Sequence, residues 1–137
     1  GYDSTDATWK DAILYVMDAD GSNPRALTEK LDRSPSGMMW APDGSGIYFN
    51  AENEGSRHLY HASLKGEVKQ VTKGAQVLSV SDIGRNFLAV GTMSTSDKPT
   101  DIVAFDVRTP TPRYLTEVNA DVLAGKKLAT TEEVWYT

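Results

Sequence analysis

The sequence predicts an all-β fold, a partial β-propeller of about two and a half four-stranded blades followed by a short helical and extended tail. Three apolar-Thr pairs carry this prediction, because Thr28, Thr72 and Thr116 are spaced by 44 residues and again by 44. A period of about 40–45 residues built from short strands is typical of a propeller with one blade per period. Since a propeller closes only with several blades, we expect the chain to be part of a larger protein.

The first half-period predicts a loop and one hairpin. Residues 1–10 are polar and predict a loop, and an apolar, β-branched run predicts a strand over 11–18. Residues 20–23 predict a turn, because Gly and Asn tolerate positive φ, and 25–28 form the predicted returning strand.

Two full blades and a tail follow. Polar segments separate the predicted strands of the first full blade. They are a crossover over 29–37, a tight turn over 42–46 and a loop over 52–57. A short helix is predicted within 119–128 with Asn119 as its N-cap, and 131–137 is predicted to be extended. The predicted strands of the two blades are 38–41, 47–51, 58–64, 68–72, 77–81, 87–92, 101–107 and 113–116.

Charge and composition argue against several classes of partner. The formal net charge is −5 and the isoelectric point is about 4.9, so nothing favours nucleic acid or an anionic membrane surface. The sequence has no cysteine, which excludes disulfides and cysteine nucleophiles and leaves periplasmic, secreted and cytoplasmic locations open. No apolar run reaches the ~18 residues of a membrane span, and the first residues do not resemble a signal peptide.

Two motifs resemble the repeating unit of TolB-like propellers. Residues 40–49, WAPDGSGIYF, resemble the blade motif W-S-P-D-G-x-x-I-x-F, and residues 14–28, LYVMDADGSNPRALT, resemble its companion strand pair. Pro42 sets φ and Gly44 supplies the unusual dihedral of the inner hairpin, and we expect Trp40 to fill the space between adjacent blades. In the second full blade, 80–84 reads VSDIG and departs from the motif, so that blade is recognised mainly by its period.

The same blades occur in the propeller domain of the prolyl oligopeptidase family of serine peptidases, especially its acylaminoacyl-peptidase and dipeptidyl-peptidase branches. The tail is similar to the exit of such a propeller, where an L-T-x-x-N stretch like residues 115–119 leads into an α/β-hydrolase domain. The resemblance implies propeller blades over 1–118 and an exit linker over 119–137. It also implies that the larger protein is a serine peptidase whose Ser-His-Asp triad lies beyond Thr137.

The residues of a serine hydrolase site are not present in the sequence itself. The nearest string to a Gly-x-Ser-x-Gly elbow is Gly44-Ser45-Gly46, which has the wrong spacing and lies in a predicted turn. His58 and His61 lie three apart on one predicted strand, so their side chains are expected on opposite faces. We therefore expect no catalytic residue, no cofactor site and no metal site in this chain.

Three further groups of residues have a functional and a structural interpretation. Asp18, Asp20 and Asn23 could form a fortuitous cation site, but strands flank them and a hairpin turn is favoured. Four acidic residues could recognise the amino terminus of a substrate, as in related dipeptidyl peptidases, although a solvated surface is favoured: Glu52, Glu54, Glu132 and Glu133. Three aromatic residues could line a binding face, although packing is favoured: Tyr2, Trp9 and Tyr15.

The resemblance implies a non-catalytic propeller segment that gates or caps the active site of a serine exopeptidase or oligopeptidase acting on short peptides. Its partners would be those peptides and the α/β-hydrolase domain of the same chain. The alternative is a TolB-like periplasmic propeller that binds proteins without catalysis. Because cutting a ring of blades uncovers an apolar face at each end, we also expect this chain to self-associate.

Overall fold

The computed structural model describes residues 10–129, 131, 132 and 134. Several sequence-based expectations lie outside these residues: the loop over 1–9, the aromatic residues Tyr2 and Trp9, the acidic residue Glu133, and most of the extended tail. The described chain contains ten strands and one short helix, α1 (Ala120–Leu123), and none of its helices is long and apolar enough to cross a membrane. The strands are β1 (Tyr15–Val16), β2 (Arg25–Ala26), β3 (Ser36–Trp40), β4 (Gly46–Asn53), β5 (Ser56–Ser63), β6 (Val68–Gln70), β7 (Val77–Ile83), β8 (Leu88–Ser94), β9 (Asp101–Asp106) and β10 (Thr109–Tyr114).

The strands form two complete antiparallel blades and half of a third. Strands β1 and β2 pair with each other alone and make the half-blade. Strands β3 to β6 make the central blade, and β7 to β10 make the last blade, each with its strands paired in chain order. A single parallel pair, Arg57 with Val77, joins these two blades. Among the described residues the strands form an open array, so the predicted all-β partial propeller is confirmed.

The 44-residue period has a structural cause in the three Thr residues. In each blade the Thr that follows the outer strand accepts a hydrogen bond on its Oγ1 from a backbone N–H of the neighbouring strand. The residue before each Thr donates its N–H to the backbone carbonyl of the residue whose N–H the Thr accepts. These bonds run from Leu27 to Leu14, from Val71 to Leu59 and from Leu115 to Ile102. The three side-chain bonds are Leu14 N to Thr28 at 2.9 Å, Leu59 N to Thr72 at 3.0 Å, and Ile102 N to Thr116 at 3.0 Å. Leu14, Leu59 and Ile102 are therefore equivalent positions of successive blades.

Each complete blade has one face toward the chain's earlier blade and an opposite face, and only the central blade has a neighbouring blade on both sides among the described residues. We call these the rear face and the forward face, defined in the central blade by Phe49 and Tyr60 (rear) and by Tyr48 and Leu59 (forward). Rear-face residues of the central blade pack with Leu14 and other half-blade residues. Forward-face residues of the central blade pack with the last blade, in a cluster that includes Leu78, Val80, Ala89, Val103 and Phe105.

The strand-rich sequence between 46 and 63 forms a longer hairpin than predicted. The prediction of a loop over 52–57 is wrong, because β4 continues through Asn53 and β5 begins at Ser56. Only Glu54 and Gly55 lie between them, with φ of 49° and 75°, the left-handed conformation that a two-residue hairpin turn requires. The turn over 42–46 is as predicted, with Gly44 at φ 71°.

Other element boundaries also differ from the predictions. Strand β1 covers only Tyr15–Val16, because the Asp18 N–H bonds to the Ser22 carbonyl and closes the hairpin early. Strand β10 starts at Thr109, four residues before the predicted start at residue 113, and its pairing with β9 is irregular up to Arg113. Helix α1 has four residues rather than ten. Asn119 precedes it without a side-chain capping bond, and Gly125 at φ 74° follows it.

The expectation that Trp40 fills the space between blades is wrong for this chain. Trp40 pairs directly with Ile47, so its side chain lies on the rear face of the central blade, and it is 60% exposed. On that side the described residues contain only the half-blade. Its two strands cover the outer part of the rear face and leave β3 uncovered.

Candidate functional site

The turn that carries the Gly-Ser-Gly string brings a serine close to a histidine. Ser45 Oγ lies 3.5 Å from His61 Nε2, and the His61 ring packs at a tilt against Tyr48 with centroids 4.7 Å apart. Burial lowers the pKa of His61, while the charge of Asp43 acts in the opposite direction. Asp43 itself accepts the backbone N–H of Ser45, and no described carboxylate bonds to the other ring nitrogen of His61. The pair therefore lacks the acid that orients the histidine of a catalytic triad.

The second histidine lies on the opposite face of the same strand, as predicted. His58 is buried, and its Nδ1 lies 3.4 Å from Thr72 Oγ1, the oxygen that holds the Leu59 N–H. Burial lowers its pKa, so it favours the neutral form. His58 thus supports a structural bond of the blade. The described residues contain no group of three or more potential metal ligands around either histidine.

In the acidic turn over 18–23 the carboxylates accept hydrogen bonds from other residues of the same turn. Asp18 Oδ2 accepts from Asn23 Nδ2 at 2.7 Å, and Asp20 Oδ1 accepts from the Ser22 hydroxyl at 2.6 Å and from the Ser22 N–H at 2.9 Å. These bonds lower the pKa of Asp20, the one from the Ser22 side chain most. The geometry is that of the favoured hairpin turn.

The acidic residues that the sequence singled out are not brought together. Glu52 pairs across the hairpin with Arg57 at 3.7 Å, and Glu54 lies in the turn itself. Glu132 is exposed in the tail. Tyr15, the described member of the aromatic set, is half-buried in β1.

A polar cluster at the Glu54–Gly55 end of the central blade was missed by the sequence analysis. Arg57 Nη2 donates to Ser36 Oγ at 2.9 Å, and the Arg57 N–H donates to the Gln76 carbonyl at 2.9 Å. Arg33 Nη2 donates to Asn53 Oδ1 at the end of β4, next to the hairpin turn. The buried atoms Arg57 Nε and Gln76 Nε2 have no protein hydrogen-bond partner. The cluster ties the starts of β3, β5 and β7 together.

A second missed feature links the central and last blades directly. Asn50, 3% exposed, donates its Nδ2 to the Val80 carbonyl and accepts the Val80 N–H on its Oδ1, both at 2.9 Å. Gly37, at φ 57°, is required beside it, because a Cβ there would lie 2.8 Å from Asn50 Nδ2. No local sequence pattern indicates this contact, since the two residues are 30 apart and meet only when blades stack.

The third missed feature is the point where the chain leaves the last blade. Asp101 Oδ1 accepts from Thr116 Oγ1 at 2.7 Å and from the Val118 N–H at 3.0 Å. These bonds, first that of Val118 and then that of Thr116, lower the pKa of Asp101. Lys98 Nζ adds an ion pair with Glu117 at 3.2 Å and lies 3.6 Å from the Tyr114 ring centre. The exit segment is thereby fixed against the blade.

The half-blade and the central blade enclose a groove of about 470 Å³ at their outer side. Its lining is mixed and includes the charged residues Glu29, Lys30 and Lys65 as well as Tyr60 and Gln70. The Tyr60 hydroxyl bonds to Gln70 Oε1 at 3.2 Å, and Gln70 Nε2 bonds to the Thr72 carbonyl at 2.8 Å. The Tyr60 hydroxyl and the Gln70 side-chain amide in this groove therefore have hydrogen-bond partners.

Sequence comparison finds one distant curated relative. No family model matches the chain. Dipeptidyl-peptidase 5 of Porphyromonas gingivalis is 24% identical over 123 residues, which cover 89% of this chain and 18% of that protein. The chain therefore spans less than a fifth of the length of the curated relative that it matches.

Solved structures share the fold at low sequence identity, and three of them superpose on this chain with a TM-score of 0.62 each. The β-propeller domain of the Trilobed protease from Pyrococcus furiosus is 24% identical and is matched over 83% of this chain and 32% of that chain. Acylaminoacyl peptidase from Pyrococcus horikoshii is 21% identical, over 86% and 17% of the two chains. A TolB-type protein from Agrobacterium tumefaciens is 22% identical, over 74% and 40%. These similarities show the propeller fold of this chain.

Proposed function

We propose that this chain is a non-catalytic propeller segment that gates or caps the active site of a serine exopeptidase or oligopeptidase. The observation that carries the proposal is the exit after Thr116. After Thr28 and Thr72 the chain crosses over to the inner strand of a following blade, whereas after Thr116 it is held by Asp101 and leads into α1. We infer that this exit segment leads to a further domain of a larger protein. The similarity to propeller domains of peptidases supports an α/β-hydrolase domain as that partner.

In this proposal residues 1–118 form propeller blades that cover the active site, and residues 119–137 link these blades to the catalytic domain. The blades restrict the active site to short peptides by excluding folded chains from the space between lid and hydrolase. The acylaminoacyl-peptidase or dipeptidyl-peptidase type is favoured, since such enzymes are among the relatives. Catalysis is assigned to the partner domain, because Ser45 and His61 here lack an acid partner.

The test begins with the coding sequence that follows Thr137. A Gly-x-Ser-x-Gly elbow followed by Asp and His is expected there. The encoded protein should hydrolyse aminoacyl or dipeptidyl chromogenic substrates and leave a folded protein intact, and a fluorophosphonate should abolish the activity. This chain alone should show no turnover. A stop codon after Thr137, or turnover by this chain that a fluorophosphonate abolishes, would contradict the proposal.

The second candidate is a TolB-like propeller that binds proteins without catalysis, which the match to the Agrobacterium protein favours. A stop codon after Thr137 would contradict the peptidase proposal and would support this second candidate. For the present chain, we also propose self-association, because apolar residues of the last blade are exposed on a sheet face.

A further inference from the structure

The outer strands of the three blades, β2, β6 and β10, differ at one position of the repeat. The residue four places before the repeated Thr is Pro24 in the half-blade and Pro112 in the last blade. In the central blade the same position is Val68, the first residue of β6. Proline has no N–H, and a proline on an outer strand keeps a further strand from pairing with the sheet edge. Of these three outer strands, β6 alone therefore has a backbone donor at this position.

Strand β6 directs the backbone groups of two residues away from its own blade. Among the described residues it pairs with β5 alone. The Glu67 carbonyl and the Val71 N–H both bond to β5. Since the backbone groups of successive strand residues point to alternate sides, the N–H and carbonyl groups of Val68 and Gln70 point outward. These groups form a short open edge that can pair with a further strand.

The open edge borders the groove between the half-blade and the central blade. Val68 and Gln70 both line this groove of about 470 Å³. Their side chains lie on the rear face, because register pairs Gln70 with Tyr60. A strand added at this edge would present every second side chain on the same face, toward the groove. The apolar residues of the lining, which would receive such a side chain, are Ala26, Leu27, Leu31 and Val68.

Both walls of the groove belong to blades of the described chain. The groove lies between the half-blade and the rear face of the central blade. A preceding blade would pack on the other face of the half-blade, and a following blade would pack on the last blade. Neither would close this groove or pair with β6.

Positive charge predominates around the edge and the groove, although the whole chain has a net charge of −5. On the half-blade side Arg25 reaches across and donates to the Leu64 carbonyl at 3.3 Å, next to the start of the β5–β6 turn. Complementary charge favours an acidic partner at such a surface. The cations of the outer strands and the groove are Arg25, Lys30, Lys65 and Lys69, and the carboxylates are Glu29 and Glu67.

We propose that the outer edge of β6 binds an extended, acidic peptide segment of another protein as an additional strand of the central blade. The peptide backbone bonds to Val68 and Gln70, one apolar side chain enters the groove, and acidic residues on either side of it lie near Lys30 and Lys65. In strand addition, main-chain bonds give affinity and pockets for alternate side chains give specificity. This site is separate from the exit segment on which the proposed function rests.

Two pairs of variants separate the contributions to binding. Val68→Pro removes the N–H and introduces the residue that the two other outer strands carry, whereas Val68→Ile keeps both the N–H and an apolar side chain. Lys30→Gln combined with Lys65→Gln removes two positive charges from the groove. Lys126→Gln combined with Lys127→Gln removes the same charge from the exposed tail and is the matched control.

The probe is a fluorescein-labelled peptide with blocked ends, Glu-Asp-Leu-Val-Asp-Glu, and fluorescence anisotropy measures its Kd while circular dichroism verifies folding. Val68→Pro should weaken binding about tenfold, because one main-chain bond is lost and the proline ring occupies the edge. The groove lysine variant should weaken binding about fivefold, as expected for two exposed ion pairs. Val68→Ile and the tail variant should keep the wild-type Kd. A peptide with Lys at every acidic position should bind more weakly than the acidic one.

Hydrogen exchange of the wild-type chain, measured by NMR, is a second readout that needs no variant. At a peptide concentration about nine times Kd, the Val68 and Gln70 amides should exchange about tenfold more slowly, because only the unoccupied chain exposes them. The Lys69 amide, which faces β5, should keep its rate.

Unchanged exchange at Val68 and Gln70 would overturn the proposal, and so would equal weakening by Val68→Pro and Val68→Ile. Equal binding of the acidic and the basic peptide, or a wild-type Kd for the groove lysine variant, would show that the site does not select an acidic segment. If the two amides are already protected without peptide, this chain or a second copy of it occupies the edge, and the proposal is wrong.

Discussion

The side-chain amide of Asn50 pairs with the backbone of Val80 as a neighbouring strand would, through two hydrogen bonds of 2.9 Å. It joins a strand of the central blade to the inner strand of the last blade, inside the apolar cluster between them. Because buried polar groups of a sheet need partners, this one side chain satisfies two backbone groups where the blades meet. The contact fixes the position of one blade on the next more closely than apolar packing alone.

Asn50→Leu should destabilise the chain by about 2–4 kcal/mol, because it leaves the N–H and the carbonyl of Val80 without partners in a buried site. Urea unfolding followed by tryptophan fluorescence measures the change. The control is Thr92→Val, at the equivalent but exposed position of the last blade, which should change stability by less than about 0.5 kcal/mol. Equal effects of the two substitutions would show that the inter-blade bonds add nothing to stability.

Thr72→Val should cost about 1–3 kcal/mol, because the methyl group that replaces Oγ1 cannot accept the Leu59 N–H. Thr72→Ser keeps the hydroxyl and should retain most of the stability. The amide of Leu59 reports the effect directly, since its hydrogen exchange should become faster in the valine variant and not in the serine variant. If Leu59 exchanges at the same rate in all three proteins, the apolar-Thr repeat has another cause.

Trp40→Ala should cost less than about 1 kcal/mol in this chain, because the side chain is 60% exposed. Phe49, on the same face of the same blade, is 0% exposed beneath the half-blade, and Phe49→Ala should cost about 3–5 kcal/mol. Both values come from the same denaturant titration, performed at a concentration where the chain is monomeric. A cost for Trp40→Ala that matches the cost for Phe49→Ala would show that Trp40 is covered in solution.

Local patterns predicted most of the strands and the turns between them. The turn over 42–46 followed from Pro42 and Gly44, whose dihedral preferences act within a few residues. The positions of His58 and His61 on opposite faces followed from the alternation of one strand. The hairpin at Glu54 was missed, because a non-glycine residue with φ 49° gives little local signal.

Contacts between blades could not be predicted in the same way. Trp40 occupies the motif position that we expected to be buried, but its burial depends on strands of a neighbouring blade rather than on its own sequence context. The Asn50–Val80 bonds and the Asp101–Val118 bond join residues 30 and 17 apart, and each depends on how sheets stack or end. Sequence alone therefore predicted the blades, and the structure was needed to identify the residues that join them and direct the exit.

Asp101 should make the stability of the chain depend on pH in the acidic range. Hydrogen bonds from the Val118 N–H and then from the Thr116 hydroxyl hold its pKa below the ordinary value of 3.8. A carboxyl whose pKa is lower in the folded state stabilises that state above its unfolded pKa, and the stabilisation is lost as the pH falls through the folded pKa. The difference in unfolding free energy between the wild-type chain and Asp101→Asn should therefore be largest and constant near neutral pH. It should shrink below about pH 4, because the protonated carboxyl becomes as neutral as the amide.

The measurement is urea unfolding of both proteins from neutral pH to pH 3, together with hydrogen exchange at neutral pH. Asn can still accept a hydrogen bond on Oδ1, but bonds to an ionised acceptor are about twice as strong as bonds to a neutral one. The Val118 amide should therefore exchange faster in Asp101→Asn. The Leu59 amide, which Thr72 holds in the central blade, should keep its rate and serves as the internal control. A stability difference that does not change with pH, together with unchanged exchange at Val118, would mean that the exit segment is held by the Lys98–Glu117 pair instead of by Asp101.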